Sequence, residues 1–260
     1  MNERKAHPRD RLITVFGRKP VLEVMLDADL DVRKLFLAHD AKGPLIHKVL
    51  EAAKQRQISV ERCSSRQVSR ISRNGRQDQG VAADIRANHM CTLESWLSSV
   101  SDDAWVFVVD GITTPGNVGM LIRSLTAAGC DGLVLPRVGA PSLSPLVIKA
   151  SAGVAFRAPI LRCSTAAEGA AQLRSAGFTL YGLSGTSTES FYELKPQRRS
   201  AWVLGNETTG VSDEVARFVS LWCNIPMHHG VESLNVSHAG AIVGFELARR
   251  QRSKIAPTGA

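Results

Sequence analysis

The sequence predicts an α/β protein in which a parallel sheet, covered on both faces by helices, follows a smaller α/β unit. Short apolar runs alternate with amphipathic segments along most of the 260 residues, which is the order that βαβ units produce. Beyond residue 104 the strand candidates are nearly continuous apolar runs, as buried parallel strands are. A polar stretch near residue 90 separates the two parts. We therefore expect two domains.

The composition is that of a globular protein, with 44% hydrophobic and 22% charged residues. No apolar run approaches the ~20 residues that span a bilayer, and the polar opening segment 1–8 has no signal-peptide core. The five cysteines are scattered without a C-x-x-C pair, and the seven histidines show no metal-binding spacing. We therefore expect a cytoplasmic protein without a disulfide, a bound metal or a membrane partner.

The first part alternates short apolar runs with segments of helical periodicity. Strands are predicted at 12–16, 34–38, 58–60 and 80–85. Helices are predicted at 20–27 and 44–57. Between residues 91 and 103, apolar side chains recur at i, i+3, i+4 and i+7, which predicts a linker with a short amphipathic helix; they are Leu93, Trp96, Leu97 and Val100.

Almost all of the excess positive charge lies in residues 1–90, which hold 18 of the 32 Lys and Arg but 11 of the 24 Asp and Glu. This predicts a polyanion as partner, although an ordinary solvated basic surface has the same composition. Arg66, Arg70 and Arg73 would share one face of a helix that Ser64 or Ser65 caps and that ends at 74–75. Such a stripe suits phosphate contacts, and a solvated face is the equally open alternative.

The second part continues the alternation of strands and helices. Strands are predicted at 105–110, 133–135, 179–183, 201–204 and 222–226. Helices are predicted at 117–128, 144–152, 165–176, 213–219 and 234–252. The expected organisation is a basic domain at 1–90, a linker at 91–103, a second domain at 104–252 and a polar tail at 253–260.

Three motifs lie where a strand candidate meets a loop or a helix start, which is where α/β proteins build ligand sites. They are D-G-I-T-T-P-G-N-V-G-M-L-I-R at 110–123, L-G-N-E-T-T-G at 204–210, and I-P-M at 225–227 followed by E-S-L-N-V-S at 232–237. The first motif is neither a P-loop nor a dinucleotide-binding fingerprint. Arg123 lies on an otherwise apolar helix, which is costly unless it faces a polar site or a partner.

Each motif also has an ordinary structural interpretation. Asn117, Ser233 and Asn235 can serve as helix caps or first-turn residues. The loop around Glu207 can be a simple glycine turn. The residues alone leave these alternatives open.

Taken together and in this order, the three motifs resemble the signatures of the SpoU/TrmH branch of the SPOUT RNA methyltransferases. The resemblance covers about residues 104–250. The first 90 residues resemble, more loosely, the ribosomal-protein-like RNA-binding domain of many SpoU enzymes, in F-G at 16–17 and Q-G-V at 79–81. Two positions depart from the family pattern: Thr114 stands where Asp is usual, and Asp78 where His is common.

The resemblance implies a deep trefoil knot in the parallel sheet domain and a homodimer whose interface helps to form the site. It also implies that a ribose 2′-hydroxyl of a structured RNA attacks the methyl group of S-adenosyl-L-methionine. Because of the separate basic domain, we expect ribosomal rather than transfer RNA. Methylation of a base nitrogen, or a catalytically silent RNA-binding or ribosome-assembly role, are the alternatives. Antibiotic self-protection would use the same chemistry.

The resemblance further implies the site residues. The expected catalytic positions are Asn117, Arg123, Glu207, Ser233 and Asn235. Arg123 would take the hydroxyl proton or assist electrostatically, because a guanidinium serves as a base only when unusually desolvated. The expected cofactor positions are Leu183, Gly185, Leu204, Gly205, Ile225, Met227 and Leu234. Arg66, Arg70 and Arg73 are the expected RNA contacts.

Overall fold

The structure is a computed structural model that describes residues 11–255, with side chains described as far as Gln251. The polar opening segment 1–8 and residues 256–260 of the predicted tail lie outside the described residues; residues 253–255 continue the last helix. Residues 11–255 form a four-stranded sheet, hereafter the small sheet, and a seven-stranded sheet, hereafter the large sheet. None of the helices in this range combines the length and apolar character that a membrane crossing requires.

The small sheet has the strand order β1-β4-β2-β3. Its strand β4 runs antiparallel to both β1 and β2, whereas β2 and β3 are parallel. The elements are β1 (Leu12–Phe16), α1 (Arg18–Leu26), β2 (Asp31–Ala38), α2 (Pro44–Gln55), β3 (Val60–Cys63), α3 (Ser65–Ser72) and β4 (Val81–Arg86).

Helix α3 carries the arginine stripe. A capping box between Ser64 and Gln67 begins the helix, because each side chain accepts a hydrogen bond from the other's backbone. The helix ends at Ser72, earlier than expected, since Arg73 already has a left-handed backbone with φ 56°. Arg66 and Arg70 are exposed one turn apart, and Arg73 is exposed just beyond the helix end.

Asp78, the second departure from the family pattern, is buried with 4% exposure. Its carboxylate accepts hydrogen bonds from the hydroxyls of Ser69 (2.8 Å) and Ser72 (3.2 Å). It also accepts one from the backbone N–H of Gly80 at 2.8 Å. Asp78 therefore fastens the end of α3 to the start of β4 and is not placed to contact RNA itself.

The large sheet has the strand order β11-β9-β10-β6-β7-β8-β5, and every pairing in it is parallel. Its elements are β5 (Cys91–Thr92), α4 (Leu93–Leu97), β6 (Ala104–Val109), α5 (Pro115–Ala128), β7 (Gly132–Pro136), α6 (Pro145–Ala150), a 3-10 turn (Val154–Phe156), β8 (Ile160–Cys163), α7 (Ala166–Ser175), β9 (Thr179–Leu183), β10 (Arg199–Leu204), α8 (Asp213–Ala216), β11 (Leu221–Cys223) and α9 (Val236–Ile255).

Strand β6 shows how the large sheet is covered on both faces. All six of its residues are buried. Phe107 and Val109 pack into the apolar layer that contains α5 and α9, whereas Val106 and Val108 pack into the layer that contains α7. This two-sided burial explains the nearly continuous apolar sequence of the strand.

The predicted α/β class and buried parallel sheet are confirmed, and several element boundaries are corrected. Strand β8 has no counterpart among the predictions, because Arg162 interrupts its short apolar run. Strand β3 lies at Val60–Cys63 rather than 58–60, since an edge strand tolerates polar Glu61 and Arg62. Strand β11 and helix α8 end earlier than expected. Residues 91–103, expected as a linker, contribute β5 and α4 to the large sheet.

Candidate active site

The three motifs meet at the edge of the large sheet where the strands end. The carboxyl ends of parallel strands share one edge, and the loops after β9, β10 and β11 enclose a cavity of about 440 Å³ there. The first motif follows β6, the strand next to β10. The folding of a parallel sheet thus brings together segments that are far apart in sequence.

A chain of side-chain hydrogen bonds links one residue from each motif. Asn117, in the first turn of α5 and 8% exposed, donates from Nδ2 to a carboxylate oxygen of Glu207. Its Oδ1 accepts a hydrogen bond of 3.1 Å from Nδ2 of Asn235. The Oδ1 of Asn235 in turn accepts from the backbone N–H (2.9 Å) and the hydroxyl (2.6 Å) of Ser237. Because each amide donates on one side and accepts on the other, the network fixes both orientations.

The structural interpretations of these residues hold only in part. Asn235 is the residue before α9, and its acceptance from the N–H of Ser237 is an N-cap contact. Asn117 is not a cap, because Thr114 occupies the N-cap position of α5 and Pro115 begins the helix. The side chain of Thr114 makes no capping hydrogen bond. Asn117 is therefore available for the contacts with Glu207 and Asn235.

Two residues without an expected role hold the first and second motifs together. The buried carboxylate of Asp110 accepts a hydrogen bond of 2.7 Å from the backbone N–H of Ser212. Asn206 donates to the carbonyl oxygen of Gly111 at 2.8 Å, and its own oxygen accepts from the N–H of Thr208 at 2.8 Å. An Asp directly after a buried strand was the sequence signal for such a role. Together these bonds fix the β10 loop over the end of β6.

The walls of the cavity combine tight backbone packing with apolar side chains. A Cβ at Gly205 would lie 2.4 Å from backbone atoms of Gly210 and Val211. The β10 loop can therefore fold back this closely only because residue 205 is a glycine. The half-exposed ring of Trp222 covers Gly182, where a Cβ would come within 2.5 Å of it. The cavity is lined by every expected cofactor position, and by Glu207 and Ser233 as well.

Arg123 is the expected catalytic residue that this chain does not bring to the cavity. It is exposed and does not line the cavity. It lies six residues after Asn117, about 240° around the helix, so the two side chains leave α5 in different directions. Met120, one turn before Arg123, is also exposed. Asn117, Glu207, Ser233 and Asn235 thus gather at one place, whereas Arg123 faces outward.

Neither thiol nor metal chemistry has support among the described residues. Burial raises the pKa of Cys130 and Cys223 to about 12 and that of Cys163 to about 11, so these thiols stay protonated at neutral pH. No group of three or more His, Cys, Asp or Glu in the described part of the chain could hold a metal ion. That the protein works without a metal stays a prediction.

Comparison with known proteins adds independent support. Residues 104–245 match the SpoU rRNA Methylase family, and residues 14–91 match the domain described as RNA 2′-O ribose methyltransferase substrate binding. The 23S rRNA (guanosine-2′-O-)-methyltransferase RlmB of Xanthomonas axonopodis pv. citri is 31% identical over 228 residues, which cover 86% of this chain and 91% of that protein.

Two solved structures share the fold over nearly all of the chain. The SpoU methyltransferase AviRb from Streptomyces viridochromogenes, crystallised with the cofactor AdoMet, has a TM-score of 0.64 at 21% identity, covering 94% of this chain and 92% of that one. A crystal structure of an RNA 2′-O ribose methyltransferase has a TM-score of 0.59 at 26% identity, covering 96% and 93%. The fold, the motif order and the family matches lead to one conclusion: the chain belongs to the SpoU rRNA methylase family, and its catalytic region follows a substrate-binding domain.

Proposed function

We propose that the protein transfers the methyl group of S-adenosyl-L-methionine to a ribose 2′-hydroxyl of ribosomal RNA. The observation that carries the proposal is the hydrogen-bonded chain Glu207–Asn117–Asn235, which joins all three motifs beside the cavity. Because the Xanthomonas relative is named for guanosine in 23S rRNA, a guanosine of that RNA is the first target to test. A domain limit near residue 90, the trefoil knot and a cytoplasmic location belong to the same proposal.

The cavity fits S-adenosyl-L-methionine in size and chemistry. Its volume of about 440 Å³ lies in the range of small-molecule sites, which are mostly apolar with a few polar groups. Leu183, Leu204 and Ile225 supply apolar contacts, while Glu207 and Ser233 are polar groups in its lining. When bound, the cofactor supplies an already activated sulfonium methyl group. The protein therefore has to orient the attacking hydroxyl, assist the loss of its proton and exclude water.

The polar chain is suited to hold the ribose. Asn117 and Asn235 lock each other's amides, and the exposed Ser233 lies two residues from Asn235. We assign these three side chains to the orientation of the ribose. Because Asn117 and Asn235 hold each other in place before the substrate arrives, little reorganisation of these two amides is required during the reaction.

In this proposal, Arg123 acts at the cavity of a second copy of the chain. Within one chain it faces outward beside exposed Met120 on α5, and the adjacent helix α9 exposes Phe245. Large apolar side chains on packed neighbouring helices favour an isologous dimer interface. We propose a homodimer in which Arg123 of one copy reaches the cavity of the other and assists loss of the hydroxyl proton.

The reaction is tested with labelled S-adenosyl-L-methionine and ribosomal RNA from a strain that lacks this gene. We expect wild type to produce a 2′-O-methyl nucleoside and Arg123→Ala to lose at least about 100-fold in rate. Label on a base would favour the base-methylating alternative. Absence of label, with a folded protein that binds the cofactor, would favour the silent RNA-binding alternative.

The dimer is tested by mixing two inactive variants, Arg123→Ala and Asn117→Ala. If Arg123 acts across the interface, half of the sites in each mixed dimer have both residues, so random mixing restores about a quarter of wild-type activity. Action within one chain predicts no recovery. Sedimentation of wild type gives the control, since an active monomer would contradict the homodimer.

A further inference from the structure

The cavity at the carboxyl edge of the large sheet carries negative charge. Its lining contains the carboxylates of Glu207 and Glu232 and, among the described residues, no Lys, Arg or His. Glu207 lies in the β10 loop and Glu232 between β11 and α9, so the two charges come from separate motifs. Both residues are exposed. A ligand in this cavity is therefore surrounded by an excess of negative charge.

The backbone of Glu232 fixes its place at the cavity. Its carbonyl oxygen lies against Gly185 of the β9 loop, where an added Cβ would approach it within 2.9 Å. Glu232 thus lies where the segments after β9 and β11 meet. Within the part of the chain that the structure describes, no ion pair involves the Glu232 carboxylate. Its charge therefore remains available to a ligand.

The neighbouring polar groups leave the negative charge in excess. Glu207 accepts its hydrogen bond from the uncharged amide of Asn117, which does not neutralise the carboxylate. The two histidines at 228–229 precede Glu232 but do not belong to the lining. In the proposed dimer, Arg123 of a second copy adds one positive charge against the two carboxylates. An excess of negative charge remains in that case too.

The proposed reaction changes the charge of the ligand in this cavity. In the transfer, the methyl group leaves the sulfonium sulfur for the ribose oxygen, and the hydroxyl proton is lost. The sulfur is a cation in S-adenosyl-L-methionine and a neutral thioether in the product, S-adenosyl-L-homocysteine. The amino and carboxyl groups of the two compounds are the same. Donor and product therefore differ by one methyl group and one positive charge.

We propose that Glu232, together with Glu207, makes the cavity bind the cationic methyl donor more tightly than its neutral product. This inference rests on the proposed function. Opposite charges attract each other across a cavity of this size, although contact with water and salt weakens the attraction. The half-exposed ring of Trp222 also lines the cavity, and aromatic rings attract cations as well. Weaker binding of the product allows the next donor to replace it.

Calorimetric titration of wild type and Glu232→Gln with both compounds tests the proposal. The amide keeps the size of the side chain and removes its charge. We expect Glu232→Gln to bind S-adenosyl-L-methionine about fivefold more weakly and S-adenosyl-L-homocysteine within about twofold of wild type. The matched control is Glu214→Gln, because Glu214 is exposed on α8 and does not line the cavity. The control should bind both compounds as wild type does.

Two further measurements separate charge from shape. Sinefungin carries a protonated amine in place of the sulfonium, so its affinity for Glu232→Gln should fall as that of S-adenosyl-L-methionine does. Glu232→Asp keeps the charge and should retain most of the preference for the donor. Added salt should reduce the preference of wild type more than that of Glu232→Gln, because salt screens exposed charges.

Equal weakening of donor and product binding in Glu232→Gln would overturn the proposal, because it would assign Glu232 to the shape of the loop. Unchanged affinities for both compounds would overturn it as well. The titration requires no methyl transfer, so the proposed function fails in a distinguishable way. A wild type that prefers the donor yet methylates no RNA would overturn the proposed function alone, whereas a wild type that binds neither compound would overturn both.

Discussion

Asn235 donates a side-chain hydrogen bond to Asn117 across 118 residues of sequence. The bond joins the start of α9 to the start of α5, and the same Asn117 amide holds Glu207 of the β10 loop. The side-chain amide of Asn117, in the first motif, is therefore hydrogen-bonded to a residue of each of the other two motifs. The two asparagines should act as one unit in catalysis.

We expect Asn117→Ala and Asn235→Ala each to lower kcat/KM for methyl transfer at least about 100-fold, because each removes a preorganised donor. Since each substitution already breaks the shared bond, the double variant should lose far less than the product of the single losses. Steady-state kinetics of the four proteins measures this coupling. Exposed Asn88→Ala is the control, and fully multiplicative losses would show that the residues act independently.

Gly205→Ala should weaken binding of S-adenosyl-L-methionine at least about tenfold, since the atoms that its Cβ would strike, at 2.4 Å, belong to the backbone and cannot rotate away. Gly116→Ala is the matched control, because its Cβ would meet only a methyl group of Thr114 at 4.0 Å. Calorimetric titration with the cofactor distinguishes the two. Similar affinities would mean that the β10 loop adapts freely.

The ionised carboxylate of Glu246 stabilises the folded protein, and this stabilisation is lost at acid pH. Hydrogen bonds from Arg249 and Arg250 lower the pKa of Glu246 to about 2. Because the folded state favours the ionised form, the stabilisation is complete above the ordinary pKa and is lost as the pH falls towards 2. Arg249 is largely exposed, so screening limits the contribution to about 1 kcal/mol.

Glu246→Gln should therefore lower the free energy of unfolding by about 1 kcal/mol at pH 7 and by much less near pH 2. Urea denaturation at both pH values measures the difference. The exposed residue Glu51, changed to Gln, provides the control. An equal loss at both pH values would assign the effect to packing rather than to charge.

Asp78→Ala should lower the free energy of unfolding by about 2–3 kcal/mol, because the hydroxyls of Ser69 and Ser72 and the N–H of Gly80 lose a charged acceptor in a buried place. Cofactor affinity should be unchanged, since the cavity lies at the large sheet. Exposed Asp29→Ala is the comparison. If Asp78→Ala were as stable as wild type, Asp78 would not be holding the end of α3 to the start of β4.

The parallel sheet and the motif loops were predictable because buried strands leave an apolar signature in the sequence. Strand β9 forms at its predicted residues, and β6 within one residue at each end. Strand β8 escaped prediction because four residues with Arg162 among them carry too little periodicity. Helix α3 was predicted with its cap, but its end depends on the left-handed backbone of Arg73, which the sequence pattern does not encode.

The sequence predicted which segments form the candidate site, but it did not predict the hydrogen bonds that join them. Resemblance to the family singled out Asn117 and Asn235, yet the bond between them exists only after α5 and α9 pack together. The outward direction of the Arg123 side chain could not be predicted from the sequence, for a different reason. Helix α5 packs against α9 and α6 and shares an apolar layer with strand β6. Apolar residues therefore occur nearly all round the helix and leave its exposed side unmarked in the sequence.

The connection between the two sheets is short and ordered. Only residues 87–90 separate β4 from β5. Ala87 and Met90 are buried, and the N–H of Ala87 donates to the carbonyl of Arg11. Four residues span at most about 14 Å, so the connection limits how far the small sheet can move from the cavity of the large sheet. If the substrate-binding domain holds a feature of the folded RNA, as the proposed function requires, this limit would select the methylated nucleotide by its distance from that feature.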